Sequence, residues 1–224
     1  MSYSGLLAGL HTFMVTVTDD AGNKGSAIFS WAIDLTVPTA LILTTPLNPT
    51  NSNAPSFTFS SNEDSTFSCQ LEKGDVVIDA SACESDPLDP WRKGSKGYSG
   101  LGEGEYTFTV TARDRANNPS SASFSWVIDV TAPVVTIDSV SPNPTSGGST
   151  VRWHAGESGS FSVRIGGTNC SDGVEVASGS YTTLDSVTSP VAAGSLAEGT
   201  NTIRVCVRDA ATNTVAPSCW LRPL

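Results

Sequence analysis

The chain has 224 residues with 12 basic and 22 acidic side chains, a formal net charge of −10. An acidic chain repels the phosphate backbone, so we expect no nucleic acid to bind. Hydrophobic residues make up 38% of the chain, enough for a core, which argues against wholesale disorder. No stretch approaches about 18 apolar residues, so we expect no membrane insertion. The first residues lack a basic segment and a long apolar core, so no signal peptide is expected there.

An internal repeat with a period of 95 residues organises the chain. Residues 3–38 align without gaps on 98–133, and a more diverged third copy keeps the offset from residue 198. The period predicts a remnant and two complete repeats: the first repeat, 1–37, the middle repeat, 38–132, and the last repeat, 133–224. Because 1–37 matches only the end of a repeat, we expect the chain to begin inside one, as a fragment of a longer array or a truncated product.

The first repeat is expected to form a hairpin. Large apolar residues alternate with Thr from His11 to Val17, the period of a strand with one buried face. A turn cluster, Asp19–Asn23, and a second alternating segment around Phe29–Trp31 follow. A lone hairpin is marginally stable in water. We therefore expect residues 1–37 to pack on the next repeat, to pair between chains or to be disordered.

The middle repeat contains the same hairpin and further strands. The predicted strands are 55–59, 67–71, 106–112 and 123–128, with a turn at 114–118. Short strands with 8–12-residue spacing in a repeat of this length indicate an immunoglobulin-like β-sandwich. Tyr106, where the hairpin begins, is a candidate tyrosine corner.

The last repeat follows the same plan, with strands predicted at 150–153, 160–165 and 201–207. The linkers Ile33–Pro38 and Ile128–Pro133 are short and each ends in proline, which restricts both itself and the residue before it. The fold class predicted is all-β, with tandem immunoglobulin-like β-sandwiches in an extended array.

No CxxC pair occurs and the chain has only two histidines, so no zinc-binding spacing is present. The five cysteines are therefore either free buried thiols or disulfides of an exported protein, and we expect disulfides. Cys69 and Cys83 enclose a short loop, whose closure stabilises by roughly 3 kcal/mol in the chain-entropy model. In the last repeat Cys206 and Cys219 both point away from the predicted core on adjacent strands. From the residues alone, Cys206 therefore has two candidate partners, Cys170 and Cys219.

Two motifs carry a family resemblance. The pattern Phe/Ile-x-Val-x-x-x-Asp-x-Ala-x-Asn, followed by Trp-x-Ile-Asp-x-Thr-x-Pro, resembles the tandem bacterial immunoglobulin-like repeats of large secreted adhesins and surface proteins. The resemblance covers nearly the whole chain and departs from the family where Asn117 and Thr212 replace the usual turn glycine, Gly22 in the first repeat. It implies export and a position outside the cell or on a bacterial cell surface.

The resemblance also implies a disulfide pattern. Phe67–Leu71 with Cys83 is similar to one variety of the family, and Asn169-Cys170 with Asn201–Val207 is similar to another. It favours the pairs Cys69–Cys83 and Cys170–Cys206, which leaves Cys219 unpaired.

Acidic residues recur at the linkers and at the hairpin turns. In an immunoglobulin-like sandwich the turn of the last hairpin lies at the end where the chain enters. We therefore expect two clusters, Asp34 with Asp114 and Asn118, and Asp129 with Asp209 and Asn213. Carboxylate and carbonyl oxygens suit Ca²⁺, and related adhesin repeats often bind Ca²⁺ at such junctions. The alternative is that these side chains only shape their turns through bonds to the backbone.

No catalytic constellation is expected. His11 and His154 lie in no motif, and the 12 acidic residues of the middle repeat are scattered along it. Trp91 lies in an atypical loop, Asp86–Lys93, where it either stacks on a sugar or a partner protein or caps the core.

The function expected is a non-catalytic stalk or adhesion module of a bacterial surface or secreted protein, acting as a spacer or in attachment. Its partners are expected to be neighbouring repeats of the same chain, and a host or prey surface glycan or protein. The alternatives are a carbohydrate-binding accessory region of a secreted hydrolase and a phage or appendage decoration protein.

Overall fold

A computed structural model describes residues 3–142, 146–182, 186–214 and 218–223, the last range by its backbone alone. It is all-β apart from a short 3₁₀ turn at Ala193–Ser195. The strands are β1 (Gly9–Thr18), β2 (Lys24–Ile33), β3 (Ala40–Thr44), β4 (Ser56–Ser61), β5 (Ser65–Lys73), β6 (Val76–Asp79), β7 (Glu84–Ser85), β8 (Lys93–Gly97), β9 (Gly104–Asp114), β10 (Pro119–Ile128), β11 (Val135–Ser141), β12 (Ser149–Ala155), β13 (Gly159–Ile165), β14 (Val174–Tyr181), β15 (Val187–Val191), β16 (Thr200–Asp209) and β17 (Ser218–Pro223). In the described residues, no helix has the length and apolar character needed to cross a membrane.

Contacts group the chain into two compact units. The first comprises Met1–Thr45, Ser56–Gly97 and Thr107–Ser125, and the second comprises Pro46–Pro55, Tyr98–Tyr106 and Trp126–Leu224. The repeat boundaries after residues 37 and 132 stay predictions.

In the first compact unit, strands of two β-sheets pack face to face. One sheet has the order β3-β4-β8-β7, and the other has the order β10-β9-β5-β6. Phe57 of β4 stacks on Phe108 of β9 with ring centroids 4.2 Å apart, and both are fully buried. The apolar positions predicted from the alternation therefore face inward, where burial of such large side chains stabilises the fold.

The second compact unit repeats this arrangement with sheets β11-β12-β15 and β14-β13-β16-β17. Its core is centred on Trp153, which packs against Phe161 and Tyr181. The indole N–H of Trp153 donates to the hydroxyl of Ser189 at 3.1 Å, so a buried polar group is satisfied as its burial requires.

Three hairpins share one hydrogen bond at their first strand. His11, Tyr106 and Asn201, spaced by 95 residues, each donate to the carbonyl four residues earlier, at 2.7, 2.7 and 2.8 Å. The hydrogen bond of Tyr106 confirms the predicted tyrosine corner. An imidazole and an amide make the same bond in the other repeats.

The turns of these hairpins require a left-handed residue. Gly22 has φ +87°, and the residues at its place, Asn117 and Thr212, have φ +73° and +76°. A side chain is disfavoured in this region, most of all a β-branched one. Asn117 and Thr212 therefore adopt the left-handed backbone conformation of the turn glycine, although they lack the conformational freedom of glycine.

Both disulfides implied by the resemblance are present. Cys69 is bonded to Cys83 and Cys170 to Cys206, with Cα atoms 5.4 and 5.8 Å apart. Cys219 lies opposite Arg204 in the register of β16 and β17, so its backbone is not opposite Cys206. Each bridge closes a loop within one compact unit.

The first repeat forms the predicted hairpin, β1 paired with β2. Its apolar face is exposed: Val15, Val17 and Phe29 are 45%, 66% and 66% accessible. The expectation that this face packs on the next repeat is therefore wrong. Pairing between chains stays a prediction.

Candidate functional site

The first candidate site lies where the linker after β2 meets the turn between β9 and β10. Asp34, Glu63 and Asp114 each offer a carboxylate oxygen, and these atoms lie within 4.8 Å of one another. The side-chain amide of Asn118 donates to the carbonyl oxygens of Asp34 and Thr36, both at 3.1 Å. The expected approach of Asp34 to the turn is therefore confirmed.

The second candidate site repeats the first 94 or 95 residues later. Asp129, Glu157 and Asp209 form the equivalent cluster, again within 4.8 Å. The amide of Asn213 donates to the carbonyl of Asp129 at 2.8 Å. The predicted position of Asp129 in this cluster is therefore confirmed, whereas Glu157 is a member that was not predicted.

The Asp and Asn of each turn also shape the turn itself. Asp114 accepts the backbone N–H of Asn118 on one oxygen and its side-chain amide on the other, both at 2.8 Å. Asp209 and Asn213 make the same two bonds. Burial alone would raise the pKa of Asp114, but the hydrogen bonds from Asn118 outweigh it and lower the pKa. The turn-shaping role is thus present in the structure.

Like charges crowd the second cluster. Burial raises the pKa of Glu157, and the nearby charges of Asp129, Asp209 and Glu103 raise it further. Three converging carboxylates disfavour ionisation of at least one of them unless a cation lies between them. The oxygen donors fit Ca²⁺, a hard cation that takes carboxylate and carbonyl ligands.

Glu63 and Glu157 were not among the predicted ligands, although the sequence holds the signal for both. Segments 56–71 and 150–165 align at an offset of 94 rather than 95, with Phe59 on Trp153 and Leu71 on Ile165. That alignment places Glu63 on Glu157. A search at the single period of 95 does not find the pair.

Each linker is held by more than the Asn bond. The carboxylates of Asp34 and Asp129 accept the N–H two residues on, each at 3.0 Å, and Pro38 and Pro133 are buried. Glu103 accepts the backbone N–H of Val130 at 2.9 Å and the Thr131 hydroxyl at 2.5 Å. These bonds lower the pKa of Glu103, the Thr131 hydroxyl most of all. This role of Glu103 was not predicted from the sequence.

Trp91 is 61% exposed, so it does not cap the core. It borders an open cleft of about 370 Å³ lined by Asp64, Ser65, Thr66, Trp91, Arg113, Asp114 and Arg115.

The two histidines make structural contacts. His11 bonds to the Leu7 carbonyl, and His154 Nδ1 lies 2.8 Å from Asp138. The hydroxyl of Ser186 donates to Asp138 at 3.2 Å. In a catalytic triad the serine hydroxyl contacts the imidazole, and the imidazole contacts the carboxylate. Here the hydroxyl of Ser186 contacts the carboxylate of Asp138 instead.

Searches for similar proteins found neither a matching family model nor a matching curated protein. Among solved structures, the chain is similar to titin domains, with 16% identity, a TM-score of 0.51, and coverage of 97% of this chain and 74% of that one. It also matches a tetra-tandem repeat in the extending region of a large adhesion protein, with 18% identity, a TM-score of 0.38, and coverage of 99% of this chain and 58% of that one. The FN1–FN3 domains of chicken CNTN1 match with 9% identity, a TM-score of 0.41, and coverage of 95% and 76%.

The likeness to titin domains shows the fold. Together with the paired sheets, it makes the chain an all-β protein of immunoglobulin-like sandwiches. This chain spans little more than half of the adhesion-protein repeat that it matches.

Proposed function

We propose that this chain is a non-catalytic immunoglobulin-like spacer module of a bacterial surface or secreted protein, which holds a binding region away from its point of attachment. The observation that carries the proposal is the duplicated linker contact. Asn118 and Asn213 each join a hairpin turn to the backbone of the linker 84 residues earlier. The same contact at two successive linkers is what an array of repeated domains with ordered connections requires.

The mechanism is restriction of the linker. In each linker, an Asp side chain fixes the following turn, an Asn amide bonds a carbonyl and a proline is buried. Each element removes backbone freedom that a flexible linker would keep. Two disulfides support export, because such bonds persist in oxidising compartments.

Limited proteolysis tests the linker mechanism. In the wild-type chain, the bonds of Ile33–Pro38 and Ile128–Pro133 should resist a broad-specificity protease under native conditions. Asn118→Ala should accelerate cleavage of the first linker only, and Asn213→Ala of the second only, so each variant is the control for the other. Rapid cleavage of both linkers in the wild type would contradict the proposal.

We further propose that Ca²⁺ binds each junction cluster and strengthens the linker contact. Asp34, Glu63 and Asp114 would hold one ion, and Asp129, Glu157 and Asp209 the other. In both clusters the Asn N–H group donates to a linker carbonyl, which leaves the side-chain oxygen of Asn118 or Asn213 as a further ligand for the ion. The ion would neutralise carboxylates that otherwise repel one another.

Thermal melts with calcium and with chelator test this step. At ten times its dissociation constant, an ion stabilises by about 1.4 kcal/mol, which raises the melting temperature of a domain of this size by roughly 5–10 °C. Glu157→Gln should abolish the calcium response of the second compact unit. Asp19→Asn, at a turn with no described carboxylate cluster, should leave the response unchanged.

The chelated state gives an independent readout. The folded pKa of Glu157 is raised, so its ionisation costs stability as the pH rises from its ordinary value through the raised one. Glu157→Gln should therefore raise the melting temperature in chelator at neutral pH while removing the gain from calcium. A melting temperature that calcium does not change in the wild type would remove the calcium proposal and leave the linker contact intact.

A further inference from the structure

The loop that carries Trp91 is fixed by its own hydrogen bonds. The carboxylate of Asp86 accepts the N–H groups of Leu88 and Asp89 at 2.8 and 3.3 Å. The carbonyl of Trp91 accepts the N–H of Ser65 at 2.8 Å. An exposed indole is therefore presented on backbone that is already ordered, which reduces the entropy lost when a ligand binds.

Beside the indole, two arginines are available to a ligand. In the described part of the chain, the guanidinium groups of Arg113 and Arg115 form neither an ion pair nor a hydrogen bond. The neighbouring Arg92 is engaged instead, with its Nε 2.8 Å from Asp64. A chain with only 12 basic residues thus leaves two cations without a partner at the edge of one cleft.

The cleft offers donors, acceptors and a flat apolar surface together. The guanidinium groups can donate, the second oxygen of Asp64 can accept, and the Trp91 ring presents an apolar face. The hydroxyl groups of a sugar both donate and accept, and the C–H face of a pyranose ring stacks on an aromatic ring. An acidic peptide would need donors alone, and Asp64 and Asp114 would repel it.

We propose that this cleft binds a pyranose residue of a glycan, stacked on Trp91 and hydrogen-bonded by Arg113, Arg115 and Asp64. The site belongs to the middle repeat alone. The positions of Arg113 and Arg115 hold Thr18 and Asp20 in the first repeat, and Arg208 and Ala210 in the last. Sugar binding at this cleft would be a function additional to that of a spacer, and it does not depend on the spacer function.

Binding of defined oligosaccharides tests the proposal. The labelled wild-type chain is screened on an array of neutral, sialylated and uronic acid glycans, and the bound glycans are then titrated by calorimetry. We expect at least one glycan to bind, and Trp91→Ala to weaken that binding at least tenfold. Leu88→Ala is the matched control, since Leu88 is 95% exposed on the same loop and outside the cleft, and it should leave the affinity unchanged.

The double variant Arg113→Gln with Arg115→Gln guards against a folding defect in Trp91→Ala. Because neither guanidinium has a described partner, this variant should melt like the wild type and still bind the glycan at least fivefold more weakly. The proposal would be overturned if no glycan bound at millimolar concentration, or if Trp91→Ala and the double variant bound the glycan as tightly as the wild type does. It would also be overturned if poly-glutamate bound and no glycan did. The last result would identify the cleft as a docking surface for acidic protein.

Discussion

The hairpins β1–β2 and β9–β10 share their main apolar side chains 95 residues apart, yet only one hairpin is covered by a second sheet. Val15 is 45% exposed, and its counterpart Val110 is fully buried. Phe29 is 66% exposed, and its counterpart Phe124 is half-buried. The strands pair in both hairpins, so the difference lies in what faces them.

The contacts between the two strands are alike in the two hairpins. A hydroxyl pair bridges the strands in each, Thr12 with Ser30 at 3.0 Å and Thr107 with Ser125 at 2.9 Å. In the covered hairpin, Phe108 also meets Phe57 from the facing sheet. The comparison teaches that alternation and turn residues determine the pairing, whereas burial depends on a second sheet that supplies aromatic side chains.

Truncation of the matched phenylalanines should give the largest contrast. Phe108→Ala removes a fully buried ring and should cost about 3–5 kcal/mol of unfolding free energy. Phe13→Ala removes a partly exposed ring and should cost less than about 1 kcal/mol. Urea unfolding followed by hydrogen exchange of each hairpin measures both. Equal costs would show that the open face of the first hairpin is covered in solution.

Loss of the Cys69–Cys83 disulfide should weaken only the covered region. In the chain-entropy model, a bridge spanning 14 residues contributes about 3 kcal/mol. The variant Cys69→Ala with Cys83→Ala should therefore speed amide exchange in β5 and β9 and leave β1 and β2 unchanged. Slower or faster exchange in β1–β2 would reveal a coupling that the comparison does not include.

The pKa values of the turn aspartates should differ less between the two hairpins than the burial of their apolar side chains does. The pKa values of Asp19 and Asp114 are both lowered, although the largest influence on Asp114 is burial, which opposes this. A lowered folded pKa contributes stability above the unfolded value of 3.8, and that stability is lost as the pH falls through the lowered value.

Asp114→Ala should lower the unfolding free energy at pH 7, because Asn118 loses two hydrogen bonds at a partly buried turn. Asp19→Ala should cost less, since its turn is exposed. The pH dependence of stability near pH 3 should flatten in Asp114→Ala, and an unchanged profile would contradict the assignment.

The smallest expected effect is at the left-handed turn residue. Asn117→Gly should stabilise by about 0.5–1 kcal/mol, because glycine adopts φ +73° without strain. The reverse change, Gly22→Asn, should destabilise the first hairpin by a similar amount. Melting temperatures that move in the same direction for both variants would contradict this argument.

Much of the fold could be predicted from the sequence because local patterns determine it. The alternation from Tyr106 to Ala112 and the turn after Asp114 predict strands and a hairpin that the structure contains. The strand β9 is two residues longer than predicted at each end, and β10 begins four residues earlier. The approach of Asp34 to Asn118 followed from topology alone.

The contacts that were missed depend on distant segments. Glu63 and Glu157 reach the junction clusters from β4–β5 and β12–β13, where the repeat offset changes by one residue. Arg113 and Arg115 meet Trp91 only because Ser65 fixes the Trp91 loop beside the hairpin turn. A single sequence gives no measure of such tertiary distances.

The central claim is that the linkers are ordered parts of the array. Backbone ¹⁵N relaxation of residues 33–38 and 128–133 measures it directly. Our account predicts order parameters near those of the flanking strands, about 0.85, in the wild type, and a fall in the first linker on Asn118→Ala. Values below about 0.6 in both wild-type linkers would show flexible connections and contradict the account.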